Sequence, residues 1–201
     1  CGSYNSAVMK LGTETIEETG KDRVALMVLG RRGRTFFRRR GYSLVPLPVE
    51  ETTQLEFKDA VSIGTVLRNA FLNGEMDRVD VIYTRFFSPL TQRPMVEQLL
   101  PVGQPTSDEQ NHHVATEYLS EPALPMLTAS LLPRYVSARL YYTMLESTAS
   151  EHGARMTSMS AATDNASKMI SSLTLALNRA RQAAITKEIS EIVSGAEALK
   201  G

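Results

Sequence analysis

The sequence predicts an α/β fold: a small open-sheet domain followed by one very long C-terminal helix. Three observations predict it. Eight of the nine prolines lie between Pro46 and Pro125, and none follows Pro133 over the last 68 residues. Past Ala162 the apolar residues recur in steps of three and four, the spacing of a helix seam. Between Val24 and Leu100 the apolar pattern is instead a set of strand-like runs around one helical stretch.

Each element follows from its own residues. Val24-Ala-Leu-Met-Val-Leu29 is a continuous apolar run ending at Gly30, the pattern of a strand buried on both faces. From Phe57 to Asn73, apolar residues at Ala60, Val61, Ile63, Val66, Leu67, Ala70 and Phe71 keep a helical spacing, and Asn73-Gly74 stops the helix. Val79 to Phe87 is β-rich and is closed by Ser88-Pro89, and Met95 to Leu100 is a further strand, ended by Pro101. Strand, helix and strand in this order describe a small open-sheet domain. Gly103 to Thr116 is polar and reads as a loop, Glu117 to Glu121 reads as a short edge strand, and Pro122 to Pro133 leads into the long helix. Interior proline costs about 3 kcal/mol in a helix, so 68 proline-free residues permit a single one. At 1.5 Å per residue, about 65 helical residues reach roughly 100 Å. That is far more than a compact domain of this size needs for its own core, so the helix is expected to meet other chains. Its seam runs Ala162, Ala166, Met169, Leu173, Ala176, Ala180, Ala183 and continues on a shifted face as Ile185, Ile189, Ile192, Ala196, Leu199, a break in the heptad.

Composition excludes several classes. The 201 residues carry 22 basic and 22 acidic side chains, which argues against a protein built to coat nucleic acid or anionic lipid. One Cys excludes an internal disulfide framework and a multi-Cys metal site. The longest clean apolar run is far short of the roughly 20 residues of a membrane span, so no direct membrane span is expected.

Catalytic patterns are missing as well. Gly30-Arg-Arg-Gly33 follows a predicted strand but lacks the Lys of a phosphate loop and the third Gly of a dinucleotide fingerprint, so a plain turn is the simpler reading. His112 and His113 adjoin Asp108 and Glu109 in a polar loop and make a poor metal site, and Cys1 has no base nearby in sequence. No catalytic residue, metal site or cofactor is therefore expected. The cluster Arg31 to Arg40 holds six Arg and two Phe. It reads either as a nucleic-acid patch, which would make this a nucleic-acid-binding coiled-coil protein, or as a short helix with Phe36 and Phe37 inward and Arg outward. On the long helix, Arg181, Gln182, Thr186, Glu188 and, further back, Arg155, Thr163, Asp164 and Asn165 are polar residues that a core does not explain.

Two stretches of that helix carry a resemblance. Glu151 to Ala166 (EHGARMTSMSAATDNA) and Asn178 to Ala196 (NRARQAAITKEISEIVSGA) resemble the C-terminal signature of the gamma subunit of F-type ATP synthases. Cys1-Gly-Ser-Tyr-Asn5 resembles the end of that family's Gly-Leu-Cys-Gly-x-x-Asn motif. Gly30 to Arg40, Val81 to Phe86 and Leu99-Leu-Pro101 fit its middle domain. The resemblance implies a Rossmann-like open-sheet domain over residues 1–121, near the membrane side, and a shaft helix over residues 122–201. That helix would be one half of an antiparallel coiled coil, whose other half is the missing N-terminal helix of the same subunit. The family's N-terminal helix and first strand precede the Cys-Gly motif.

The implied role is that of a noncatalytic rotor subunit, coupling proton-driven rotation of the c-ring to ATP synthesis. The implied partners are the alpha and beta subunits of the catalytic head, the epsilon subunit and the c-ring, with no nucleic acid. Arg181, Gln182 and Thr186 resemble residues that contact a beta-subunit catch loop, and Arg155 and Glu188 resemble a polar pair important in coupling. Ile185, Ile189, Ile192 and Leu199 would sit in an apolar bearing at the top of the head. The implied location is peripheral, on the cytoplasmic face of a bacterial plasma membrane in preference to the mitochondrial inner membrane.

Overall fold

A computed structural model describes residues 1–49, 56–103 and 121–199. The element order is α1 (Tyr4–Thr19), a single 3-10 turn (Lys21–Arg23), α2 (Arg31–Arg39), α3 (Phe57–Leu72), β1 (Val79–Ser88), β2 (Thr91–Leu100) and α4 (Leu124–Ala198). The fold class matches expectation: a small open sheet of two strands, flanking helices, and a 75-residue C-terminal helix. The chain divides into two compact units, Cys1–Arg155 and Met156–Gly201. The first unit thus runs past residue 121 well into α4.

The sheet itself departs from the expected strand–helix–strand order. β1 and β2 form an antiparallel hairpin, with Val79 opposite Leu100, Tyr83 opposite Met95 and Arg85 opposite Arg93. Ser88-Pro89-Leu90-Thr91 makes the turn, and a connection this short admits only antiparallel strands. Val24–Leu29 is not the doubly buried strand its composition suggests. It is extended, but its ladder is one parallel bridge, Leu26 to Leu44, in which Leu26 N–H donates to Ser43 O (3.1 Å) and Val45 N–H donates to Leu26 O (2.8 Å). Among the described residues no part of the run is buried, and Leu29 stays 42% exposed, so the run is not covered on both faces.

Two helices follow their local signals closely. In α3 the Glu56 N–H donates to the Asp59 carboxylate (2.8 Å), which satisfies a donor at the helix start. Gly74 takes φ +74° just beyond its C-terminus, where a side chain would be strained. In α2 the arginines face outward while Phe37 is buried, edge-on to both Phe36 and Tyr42. This bears out the short-helix reading of the Arg cluster. Gly30 is a turn with φ +97°, and a Cβ on Gly33 would come within 2.9 Å of Val28 Cγ1. The two glycines thus serve a turn and a close approach.

α1 has no counterpart among the sequence expectations. Gly12 and several Thr weaken its intrinsic propensity. The Thr13 and Thr15 hydroxyls bond back to the carbonyls of Met9 and Leu11 (both 2.9 Å). Gly12 is needed where it stands, since a Cβ there would meet Phe37 Cζ at 3.1 Å.

α4 begins earlier than the last proline suggests. It starts at Leu124 and carries Pro133 inside. Pro125 sits in the first turn, where its missing N–H breaks no intrahelical bond. Beyond Pro133, whose carbonyl accepts from Ser137 Oγ (3.0 Å), the buried stripe Val136, Leu140, Met144 begins. These three pack with Ala60 and Ile63 of α3 and with Val79, Leu99 and Leu100 of the hairpin in one core. At the α3–α4 crossing small residues face each other: a Cβ on Gly64 would lie 3.2 Å from Ser137 Oγ and 3.4 Å from Leu140 Cδ1. All but Gly103 of the expected loop from Gly103 to Thr116, with His112 and His113, and all but Glu121 of the expected edge strand from Glu117 to Glu121 lie outside the described residues.

Candidate functional site

The second unit is a helix with nothing packed on it among the described residues. From Met159 through Leu199 every described residue is exposed, apolar ones included. At 3.6 residues per turn, Ala162, Ala166, Met169, Leu173, Ala176, Ala180 and Ala183 fall in one stripe about 100° wide. Ile185, Ile189, Ile192 and Ala196 fall in a second stripe, centred about 160° further round the axis. The break in the heptad is thus a change of face by nearly half a turn. Ile192 is 71% exposed and Leu199, just past the helix end, is 89% exposed. Large apolar surface left open on this scale marks an interaction surface.

The same geometry sorts the polar candidates. Arg181, Ile185 and Glu188 share one face of α4. Gln182 and Thr186 lie one turn apart on the adjacent face, near Ile189. Lys187 pairs with Glu191 (3.7 Å) rather than with Arg181's neighbourhood. Arg155 is engaged by Glu151 on the preceding turn and approaches His152 Nδ1 (3.3 Å). Arg155 and Glu188 are far beyond the four-residue reach of an intrahelical pair, so they do not form a contact within this helix.

Within the first unit, α4 is held by a second set of residues that the sequence did not single out. β2 occupies one edge of β1. On the other edge, Thr84 N–H donates to Ser147 Oγ (3.3 Å), Ser150 Oγ donates to Thr84 O (3.0 Å) and Phe86 N–H donates to the Glu146 carboxylate. Side chains of α4 thus complete backbone groups that another strand would otherwise pair. Ser147 O in turn accepts from the Tyr4 hydroxyl (2.8 Å), tying in α1. Two turns earlier on α4, Arg139 forms an ion pair with Glu97 of β2, and the same carboxylate accepts from Tyr83 OH (3.0 Å).

The electrostatics agree with the geometry. Burial, and then the Glu97 carboxylate, raise the Tyr83 phenol above its ordinary value. Burial also raises Tyr4, against the opposing hydrogen bond with Ser147. For Arg139, burial alone would lower the pKa, but the bond and charge of Glu97 outweigh it and raise it. These residues had a signal: Arg139, Thr143, Glu146, Ser150 and Gly153 are polar or small at steps of four, three, four and three. That is a seam pattern written in polar residues, beside the apolar Val136, Leu140, Met144.

Fold and site together define a domain that packs on the first part of a long helix, and, among the described residues, a further stretch of that helix that is exposed from Met159 to Leu199. The comparisons agree with this. A family model described as ATP synthase matches residues 1–199. The ATP synthase gamma chain of Moorella thermoacetica is 45% identical over 199 residues, covering 99% of this chain and 69% of that one. The gamma chain of Symbiobacterium thermophilum is 45% identical over 200 residues, covering 100% and 68%. In fold, the chain is similar to a chain of the central stalk and c-ring structure of the Tetrahymena thermophila mitochondrial ATP synthase. The TM-score is 0.57 at 22% identity, covering 81% of this chain and 70% of that one. The chain belongs to the ATP synthase gamma chain family. It is a noncatalytic subunit of a complex that makes ATP. Among the described residues, no helix is long and apolar enough to cross a membrane, and no group of three His, Cys, Asp or Glu could hold a metal ion.

Proposed function

We propose that this chain is the rotor shaft that couples proton-driven rotation of a c-ring to conformational change at the catalytic sites of the beta subunits. Residues 1–121 form the foot, which meets the c-ring and the epsilon subunit. Residues 122–201 form the shaft inside a ring of alpha and beta subunits, paired with the N-terminal helix of the same subunit. The chain is peripheral to the membrane, on the cytoplasmic face of a bacterial plasma membrane, in keeping with the bacterial relatives at 45% identity. Mechanically, a shaft shifts the beta subunits only through unequal contacts, since equal affinity for all their states shifts nothing. The helix supplies such inequality, because its apolar stripe changes face by about 160° at Ile185.

The observation that supports this reading best is the uninterrupted exposure of Met159 through Leu199 despite two apolar stripes. On the exposed faces, Arg181, Gln182 and Thr186 contact a beta-subunit loop, where Arg and Gln offer forked donors. Arg155 and Glu188 act as a coupling pair through the chains around the helix rather than through each other. Ile185, Ile189, Ile192 and Leu199 run in an apolar bearing. The test is Arg181→Ala with Gln182→Ala in the assembled synthase. Proton pumping per ATP hydrolysed, or the yield of complex, should fall. Unchanged hydrolysis, pumping and yield would remove the assignment.

A further inference from the structure

The long helix presents two different surfaces to the first unit. One is apolar: Val136, Leu140 and Met144 in the core with Ala60, Ile63, Leu99 and Leu100. The other is polar: Arg139 to Glu97, Glu146 to the Phe86 N–H, and Ser147 and Ser150 to the Thr84 N–H and carbonyl. Arg139 lies beside the apolar residues on the same turns, and Glu146, Ser147 and Ser150 follow on the turns just beyond Met144. Their physics differs in one respect that matters for a rotating helix. Apolar burial is non-directional and scales with area, so a helix turned slightly about its axis keeps most of it. Hydrogen bonds weaken steeply with angle, and at the buried end of the stripe, Ser150 against Thr84, water cannot replace a lost one. Ser150 is fully buried, and the strand-edge groups it and Ser147 serve are backbone atoms of β1, fixed by the hairpin.

We propose that this polar stripe is the torque-bearing seat of the shaft: Arg139, Glu146, Ser147 and Ser150, bonded to Glu97, Thr84 and Phe86, fix the rotational setting of α4 in the foot. The apolar core holds the helix in place, and the polar stripe keeps it from slipping about its own axis when the foot is driven. Two independent anchors share the load. One is an ion pair to β2, and the other is a row of bonds to the free edge of β1, two to three turns further along the helix. The inference rests on the rotor reading and names where that rotor takes up its load.

The test uses the complete gamma chain in an assembled, liposome-reconstituted synthase. One orientation probe is fixed to the foot and another to the helix beyond Met156. Arg139→Gln and Ser147→Ala are compared with the parent, with the reversed pair Glu97→Arg plus Arg139→Glu, and with Leu140→Ala. The last removes core packing and leaves the polar stripe intact. The expected result is a wider angular spread of the foot probe relative to the shaft probe in Arg139→Gln and Ser147→Ala. Gradient-driven ATP synthesis should be lost while hydrolysis by the head is kept, and the reversed pair should recover the parent's spread. Ser147→Ala removes only a half-buried hydroxyl, and it carries the comparison if Arg139→Gln lowers assembly. An unchanged spread in Ser147→Ala, or an equal widening in Leu140→Ala, overturns the proposal, because the seat is then packing alone. Absence of any ATP-driven rotation of either probe in the parent would instead overturn the rotor reading beneath it.

Discussion

Replacing Ser150 by Val separates two ways of thinking about a buried serine. On hydrophobicity alone the change should stabilise, because a fully buried polar side chain gives way to an apolar one of modest size. The surroundings of Ser150 predict the reverse. Its hydroxyl donates to Thr84 O (3.0 Å), on the edge of β1 that no strand covers among the described residues. Losing that donor leaves a buried carbonyl short of a partner, at a cost of about 1–3 kcal/mol. The extra methyl groups also enter a position with no accessible surface, which costs about 1–3 kcal/mol through overpacking. The two add to roughly 2–6 kcal/mol for Ser150→Val, whereas Ser150→Ala should incur only the first, roughly 1–3 kcal/mol. Urea unfolding followed by tyrosine emission suits the measurement, because the chain has no Trp and all seven tyrosines lie at or before Tyr142. The signal therefore reports the first unit alone. An Ala variant as stable as the parent would refute the claim that Ser150 is there for the strand edge, and a Val variant no worse than the Ala variant would refute the overpacking.

Two further outcomes follow from the same packing. Gly64→Val places a branched side chain where a Cβ already lies 3.2 Å from Ser137 Oγ and 3.4 Å from Leu140 Cδ1, so it should cost about 1–3 kcal/mol in the same urea assay, and Gly64→Ala less. Alkaline stability is the other. Tyr4 and Tyr83 have folded pKa values raised above 10.0, so the folded state holds their protons more tightly than the unfolded chain. Their contribution is complete below the unfolded value of about 10 and is lost as pH rises through the higher folded values. Tyr4→Phe should flatten that alkaline decline, and a decline of the same slope in the variant would remove Tyr4 from the account.

Much of this architecture was legible from residue spacing, and the failures have physical causes. α3, β1 and β2 could be read because each combines a strong period with a stop: Asn73-Gly74, Ser88-Pro89 and Pro101. Val24–Leu29 was misread because a continuous apolar run states that a segment can be buried, not that a layer stands on each of its two faces to bury it. α1 was missed because Gly12 lowers helix propensity for a reason visible only in three dimensions, the ring of Phe37 against it. Pro133 misplaced the start of α4, since tertiary packing of Val136, Leu140 and Met144 outweighs the local penalty. The exposed end of α4 was readable as a surface for other chains. Its seat was written only as the polar series Arg139, Thr143, Glu146 and Ser150, which names no partner until the edge of β1 is seen beside it.

The hairpin's other flank has a consequence of its own. Thr84 turns both its N–H and its C=O away from β2, and its partner across the ladder is Pro94. In an antiparallel ladder, opposite residues whose polar groups do not bond each other both point outward. Pro94 therefore aims at the outer margin of β2, at mid-strand, the one residue type with no proton to give. A foreign strand laid along that margin would find a missing rung at its centre, which is how natural sheets discourage accidental growth. Among the described residues no strand lies on that margin, and Pro94 takes one donor away from any that would add there.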